Sequence, residues 1–154
     1  KNRLGNLEKE IPLLKRKNIK IISLDGSLKH EGRFKDDKYN GYGKYYEDGK
    51  LIYEGEFKDN KRTGNGKIYD EDGKLTYEGE FKDDEYTGNG KEYYYNGKLR
   101  YEGEWKDGKR NGNCKYYEDG KLMYEGEWND GKEMVMVNLI MEMVHMKENL
   151  KMVK

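Results

Sequence analysis

Residue types able to do chemistry are scarce in this chain, and their spacing does not assemble them. Its two histidines, His30 and His145, lie far apart in sequence, and neither has a serine or cysteine at motif spacing to serve as a nucleophile. The lone cysteine, Cys114, allows no intramolecular disulfide. It stands where earlier copies of a repeat carry Gly43, Gly66 and Gly90, so drift of a glycine codon accounts for it better than a reactive thiol. Carboxylates are abundant, but pairs such as Glu54 and Glu56 alternate as on a solvated strand face, and glycoside chemistry needs a cleft that no feature predicts. Asp70-Glu71-Asp72-Gly73 starts like a calcium loop and lacks the later ligands. The Gly-x-Gly pairs lack the third glycine of a dinucleotide-binding turn. The expectation is no catalytic residue, no metal and no cofactor, hence not an enzyme.

The elements that must position any site come from a repeat. Tyr53-Glu54-Gly55-Glu56-Phe57 returns as Tyr77 to Phe81, Tyr101 to Trp105 and Tyr124 to Trp128, at intervals of 23 or 24 residues. A worn copy opens the series at His30-Glu31-Gly32-Arg33-Phe34. After each aromatic residue come Lys-Asp and a polar link, then Gly-x-Gly (Gly41/Gly43, Gly64/Gly66, Gly88/Gly90), then a tyrosine-rich stretch. Each unit closes on Asp-Gly or Asn-Gly followed by Lys-Leu, at Asp48-Gly49, Asp72-Gly73, Asn96-Gly97 and Asp119-Gly120. Such dipeptides between β-rich runs signal type I′ hairpin turns, so each unit reads as two antiparallel strands and the array as a meander. A fixed period of this size means stacked supersecondary units, which offer long surfaces rather than one catalytic pocket.

These residues resemble the MORN repeat family, in its bacterial variety with a Tyr-Glu-Gly-Glu-Phe/Trp-Lys-Asp-Gly core, over about residues 25 to 132. The resemblance implies an all-β, elongated, single-layer antiparallel meander of successive hairpins. It also implies scaffolding, protein-interaction or membrane-associated roles, without fixing one of them.

Three segments follow: an N-terminal segment 1–18, the repeat array 19–132 and a non-repeat tail 133–154. Leu4, Leu7, Ile11 and Leu14 have helix-like spacing that Pro12 interrupts, so a short helix there is one option, and Ile19 to Leu24 reads as the strand that caps the array. In the tail, Met-Val occurs at Met134, Met136, Met143 and Met152. Back-translated with A/T-rich codons and shifted by one base after Lys132, this text reads as a further repeat containing Tyr-Glu-Gly-Glu-Phe, so the tail is read as a frameshift product. The alternative is an amphipathic cap helix with Leu139, Met143, Met146 and Leu150 on one face.

Strand alternation places Tyr53, Gly55 and Phe57 on one face and Glu54 and Glu56 on the other. The expected core is Tyr53, Gly55, Phe57, Tyr77, Gly79, Phe81, Tyr101, Gly103, Trp105, Tyr124, Gly126 and Trp128, with each glycine letting a ring lie across the backbone. On the second strand of a unit, Gly64, Gly66 and Ile68 share one parity and Tyr69 has the other; a bulge could reconcile them, and the sequence does not decide. Tyr46, Tyr69, Tyr93 and Tyr117 occupy one repeat position and form the candidate partner-binding face, since an open single layer cannot bury both sides.

Charged residues make up 40% of the chain and mean hydropathy is −1.31, values that a solvated sheet face explains as well as disorder does. Lys+Arg and Asp+Glu balance at 31 each, so no global charge draws nucleic acid or anionic lipid. No run approaches the roughly 20 apolar residues of a membrane-spanning helix. Starting at Lys1 without a methionine, the chain is compatible with a removed leader or an upstream domain. The functional expectation is a non-enzymatic scaffold that binds another protein, or a second copy of itself, through an aromatic sheet face. The alternatives are an antitoxin or immunity-type protein that neutralises a cognate toxin, and a lipid-associated scaffold, which the neutral charge weakens. Partner and compartment stay open, with cytoplasmic or membrane-peripheral placement favoured.

Overall fold

The computed structural model describes residues 18–133 and, in the tail, the single position Met146. The expected N-terminal helix and both readings of the tail lie outside the described residues. Met146 has helical backbone and is exposed.

Among the described residues eleven strands run in chain order: β1 (Asn18–Ile22), β2 (Leu28–Lys35), β3 (Lys38–Glu47), β4 (Lys50–Lys58), β5 (Lys61–Tyr69), β6 (Leu75–Lys82), β7 (Glu85–Tyr93), β8 (Leu99–Lys106), β9 (Lys109–Glu118), β10 (Lys121–Asn129) and β11 (Lys132–Glu133). Each pairs antiparallel with the next, so the sheet is one open meander in which every neighbour in space is a neighbour in sequence. The all-β, single-layer architecture is therefore the observed one.

Two kinds of connection explain why the period is 23 in places and 24 in others. Where β3 meets β4 and β9 meets β10, the link is two residues, Asp48-Gly49 and Asp119-Gly120, with both φ angles positive as a type I′ turn requires. Those units have the 23-residue spacing, as from Tyr101 to Tyr124. Where β5 meets β6 and β7 meets β8, residues 70–74 and 94–98 form longer loops, and only the glycine, Gly73 or Gly97, has positive φ. A type I′ turn at Asp72-Gly73 and Asn96-Gly97 was expected, and the structure corrects it. In residues 70–74 the Asp70 carboxylate accepts the backbone N–H groups of Asp72 and Lys74, each at 2.9 Å, and this side-chain cap replaces the tight turn.

The polar link after each aromatic residue is also a tight hairpin. Asp36-Asp37, Asp59-Asn60, Asp83-Asp84, Asp107-Gly108 and Asp130-Gly131 all turn with both φ positive, between 49° and 75° from Asp59 to Gly108. These turns latch adjacent units together. The amide of Asn60 donates to the Tyr39 carbonyl at 3.2 Å, Asp84 to Arg62 at 3.1 Å, Gly108 to Tyr86 at 3.0 Å and Gly131 to Arg110 at 2.9 Å.

The core lies on one face. Rings meet edge to face in a zigzag: Phe57 to Tyr53 at 5.1 Å, Tyr53 to Phe81 at 5.3 Å, Tyr77 to Phe81 at 5.4 Å, Tyr77 to Trp105 at 5.5 Å, Tyr101 to Trp105 at 5.2 Å and Tyr101 to Trp128 at 5.9 Å. This quadrupole-matched geometry adds about 0.5–1.5 kcal/mol per pair beyond area burial. The tyrosine ring also explains the glycine two residues on. A Cβ at Gly79 would fall 2.6 Å from both Tyr77 Oη and the Gly90 Cα, so the ring lies over bare backbone. Its hydroxyl reaches past that glycine to donate to the carbonyl of the residue three places on, as Tyr53 does to Glu56 at 3.1 Å and Tyr101 to Glu104 at 2.9 Å. Tyr124 makes the same bond to Glu127 at 3.1 Å, although it is only half-buried.

Candidate functional site

Among the described residues, those whose chemistry was weighed above are not brought together, and His145 lies outside them. His30 is on β2 and Cys114 on β9, with six strands between them. His30 is buried among rings, stacked on Tyr39 at 3.3 Å and edge-on to Phe57 at 5.0 Å, with neither ring nitrogen hydrogen-bonded. Burial lowers its pKa from 6.5 to about 4, so it is neutral near pH 7. Cys114 is buried against Gly103 and Tyr101 and hydrogen-bonds with the tyrosine hydroxyl. Among the described residues no three His, Cys, Asp or Glu side chains gather as metal ligands.

The aromatic face closes over itself. Tyr53, Tyr77 and Tyr101 are at most 2% exposed, with burial pushing each phenol above its ordinary pKa. One position on the second strand of each unit supplies a lid, alternately tyrosine and arginine: Tyr39, Arg62, Tyr86, Arg110. Tyr86 stacks on Tyr77 at 3.9 Å, and Arg110 sits 4.6 Å above the Tyr101 ring and 5.1 Å from Trp128. Arg110 is held in turn by Glu92, which also faces Arg100 at 3.9 Å.

The candidate row Tyr46, Tyr69, Tyr93 and Tyr117 lies on the opposite side. Tyr69 donates to Glu54 and Tyr93 to Glu78, both at 2.6 Å, so they share the face of the glutamates. Burial first, and the glutamate bond second, raises both phenol pKa values. Bulges are present at Ile68/Tyr69 and Gly55/Glu56, but they do not carry Tyr69 over to the aromatic side. The sequence left open whether a bulge merges the two tyrosine sets; it does not, because the extra residue, Thr76, is on β6 and leaves the β5 alternation intact. Tyr46 opposes Leu51 and follows Tyr45, which faces Tyr53, so alternation puts Tyr46 with Lys44 on the same polar side. All four tyrosines are half-buried. The most exposed tyrosines are Tyr42, at 56%, and Tyr95, at 66%, neither of which was singled out from the sequence.

The glutamate face carries a groove of about 570 Å³ running across β4 to β8. Its floor is the row Gly55, Gly66, Gly79, Gly90 and Gly103, which belong to the aromatic-side parity and present only backbone on this face. One wall is a ladder of Glu54, Lys67, Glu78, Lys91 and Glu102, and Asn65 and Asn89 stand on the other side, with Tyr42 at one end. Sequence reasoning missed this groove, and the signal for it was present: glycines in register on β4 to β8, flanked by Glu on one strand and Lys on the next.

The MORN repeat model matches residues 30–50, 53–74, 77–98, 101–121 and 124–135, and the MORN repeat variant model matches residues 44–59. No curated protein matches the chain. Among solved structures it is similar to the crystal structure of TarM, at 19% identity and a TM-score of 0.36, covering 68% of this chain and 24% of that one. It is similar also to an S. aureus TarM mutant in complex with fondaparinux, alpha-GlcNAc-glycerol and UDP, at 18% identity and a TM-score of 0.35, covering 65% and 22%. The chain spans about a quarter of the length of these solved chains.

Proposed function

We propose, from the premise that the chain belongs to the MORN repeat family, that it is a non-enzymatic scaffold that holds a protein partner on its glutamate face. Repeats of this family are commonly protein- or membrane-binding modules and are generally non-catalytic. The observation that carries the reading is the division of labour between faces. The aromatic side is sealed by its own rings, whereas the other side presents half-buried Tyr46, Tyr69, Tyr93 and Tyr117 beside a glycine-floored groove. Tyrosine suits such a surface because it buries large area at low entropic cost and keeps a hydroxyl for orientation. Neutralising a toxin would be one instance of this protein-binding role. Lipid binding draws no support from a groove whose walls carry more glutamate than lysine.

The test is capture of a binding partner by intact protein and by variants in which Tyr46, Tyr69 and Tyr93 are changed singly and together to lysine, with the fold checked by circular dichroism. Recovery should fall stepwise, because the three occupy successive units. Undiminished recovery by the triple variant would place the contact elsewhere, and turnover of a small molecule by the purified protein would overturn the scaffold reading.

A further inference from the structure

The wall of the groove belongs to a longer charge ladder. In strand order from β1 to β10 the register aligns Lys20, Glu31, Lys44, Glu54, Lys67, Glu78, Lys91, Glu102, Lys115 and Glu125, strictly alternating in sign. Four ion pairs form along it: Lys20–Glu31 at 3.8 Å, Lys44–Glu54 at 3.8 Å, Lys91–Glu102 at 4.0 Å and Lys115–Glu125 at 3.7 Å. Two pairs lie on each side of the middle. The central residues, Lys67 on β5 and Glu78 on β6, make no ion pair with each other or with another described residue. Among the described residues Glu78 accepts from the Tyr93 hydroxyl at 2.6 Å.

An alternating row with an even number of members has a particular symmetry. Turned end for end about its midpoint, every lysine falls where a glutamate stood. We propose that two copies of this chain pair through this face, antiparallel in strand order, about a two-fold axis that runs along the strands between β5 and β6. This deepens the proposed function by naming the partner as a second copy. In that arrangement Lys67 of each copy meets Glu78 of the other, and Glu54 meets Lys91. The flanking row complements itself as well: Glu56 falls opposite Asn89, and Glu80 opposite Asn65, so each carboxylate meets an amide and none meets a carboxylate. The alternative two-fold, with the ladders in the same order, sets every lysine against a lysine and is rejected by repulsion. Isologous contact of this kind is the usual form of a homodimer, and complementary charge fixes its register more than its strength. Sheet twist of roughly 20–25° per strand makes the faces diverge away from the axis. The contact is therefore carried by β4 to β7, within the groove that runs on to β8.

The experiment is sedimentation equilibrium of the full chain with charge-inverted variants, the fold of each confirmed by circular dichroism. Wild type should dimerise, more weakly as ionic strength rises from about 0.05 M to about 0.5 M. Lys67→Glu alone and Glu78→Lys alone should each weaken the dimer at least about tenfold, since like charges then meet at the axis. An equimolar mixture of those two variants should dimerise again, because each supplies the sign the other lacks, and so should the double variant Lys67→Glu/Glu78→Lys. The mixture leaves each chain's internal cross-strand pair unfavourable, so its recovery is not a folding effect. A wild type that stays monomeric at all concentrations, or a mixture that does not recover, overturns the pairing. A monomeric wild type that still captures another protein through Tyr46, Tyr69 and Tyr93 would overturn the pairing alone and leave the scaffold reading standing.

Discussion

The two faces of the sheet come from the same pentapeptide, Tyr-Glu-Gly-Glu-Phe or its Trp form, read alternately. Its odd positions build a zigzag of rings in which Tyr101 is 0% exposed, although among the described residues no second layer covers it. Its even positions build a ladder of charges that leaves a groove open. The glycine serves both: on one side it admits the tyrosine ring, and on the other its backbone becomes the groove floor. The difference teaches how a single layer folds without a sandwich. Rings laid flat over glycine and lidded by the next strand's tyrosine or arginine replace the missing layer. The opposite face is then relieved of holding the fold together and can vary for recognition.

The largest effect that would sharpen this comparison is loss of a ring. Phe81 touches Tyr53, Tyr77 and Tyr86 and is 3% exposed. Phe81→Ala should cost about 3–5 kcal/mol in urea denaturation. Phe34→Ala, in the worn first unit where the ring is only half-buried, should cost clearly less. Equal losses would show that the rings do not form one shared core.

The next effect comes from acid. His30 replaces the ladder tyrosine in the first unit, and its burial among Phe34, Tyr39 and Phe57 holds its pKa near 4 rather than 6.5. The unfolded chain therefore binds this proton more readily than the folded one. Its stabilising contribution is full above about pH 6.5 and is lost as pH falls toward 4. His30→Tyr, which restores the repeat residue, should flatten that part of the stability profile between pH 7 and 4. An unchanged slope would contradict the buried neutral histidine.

The smallest effect is expected on the open face. Tyr69→Phe removes the hydroxyl that donates to Glu54 while keeping the ring, and should cost about 1 kcal/mol or less. A loss as large as that of Phe81→Ala would mean that the glutamate face also holds the fold, and the division between faces would fail.

Much of this was legible in the sequence because a repeat announces its own register. The 23 to 24 residue period gave the meander, and strand parity correctly placed Tyr53 and Phe57 opposite Glu54. What escaped was carried by side chains that act on backbone. Asp72-Gly73 looks like Asp48-Gly49, yet Asp70 accepts two backbone donors and opens a longer loop. Asp83-Asp84 does not look like a tight turn, yet both residues adopt positive φ, held by the bond from Asp84 N–H to the Arg62 carbonyl. The face of Tyr69 depended on which strand carries the extra residue of a bulge, and parity along one strand cannot say that. The groove was hidden because its floor is backbone, and its walls are side-chain rows that come together only when several strands are laid in register.

The division between faces is tested most directly by tyrosine nitration of the native protein, with each site read by mass spectrometry. Tyr42 and Tyr95 should react first and the Tyr46, Tyr69, Tyr93 and Tyr117 row slowly. Tyr53, Tyr77 and Tyr101 should not react until urea unfolds the chain, since they are buried with phenol pKa values raised. Modification of those three at the rate of Tyr42 in folded protein would contradict a self-sealed aromatic face.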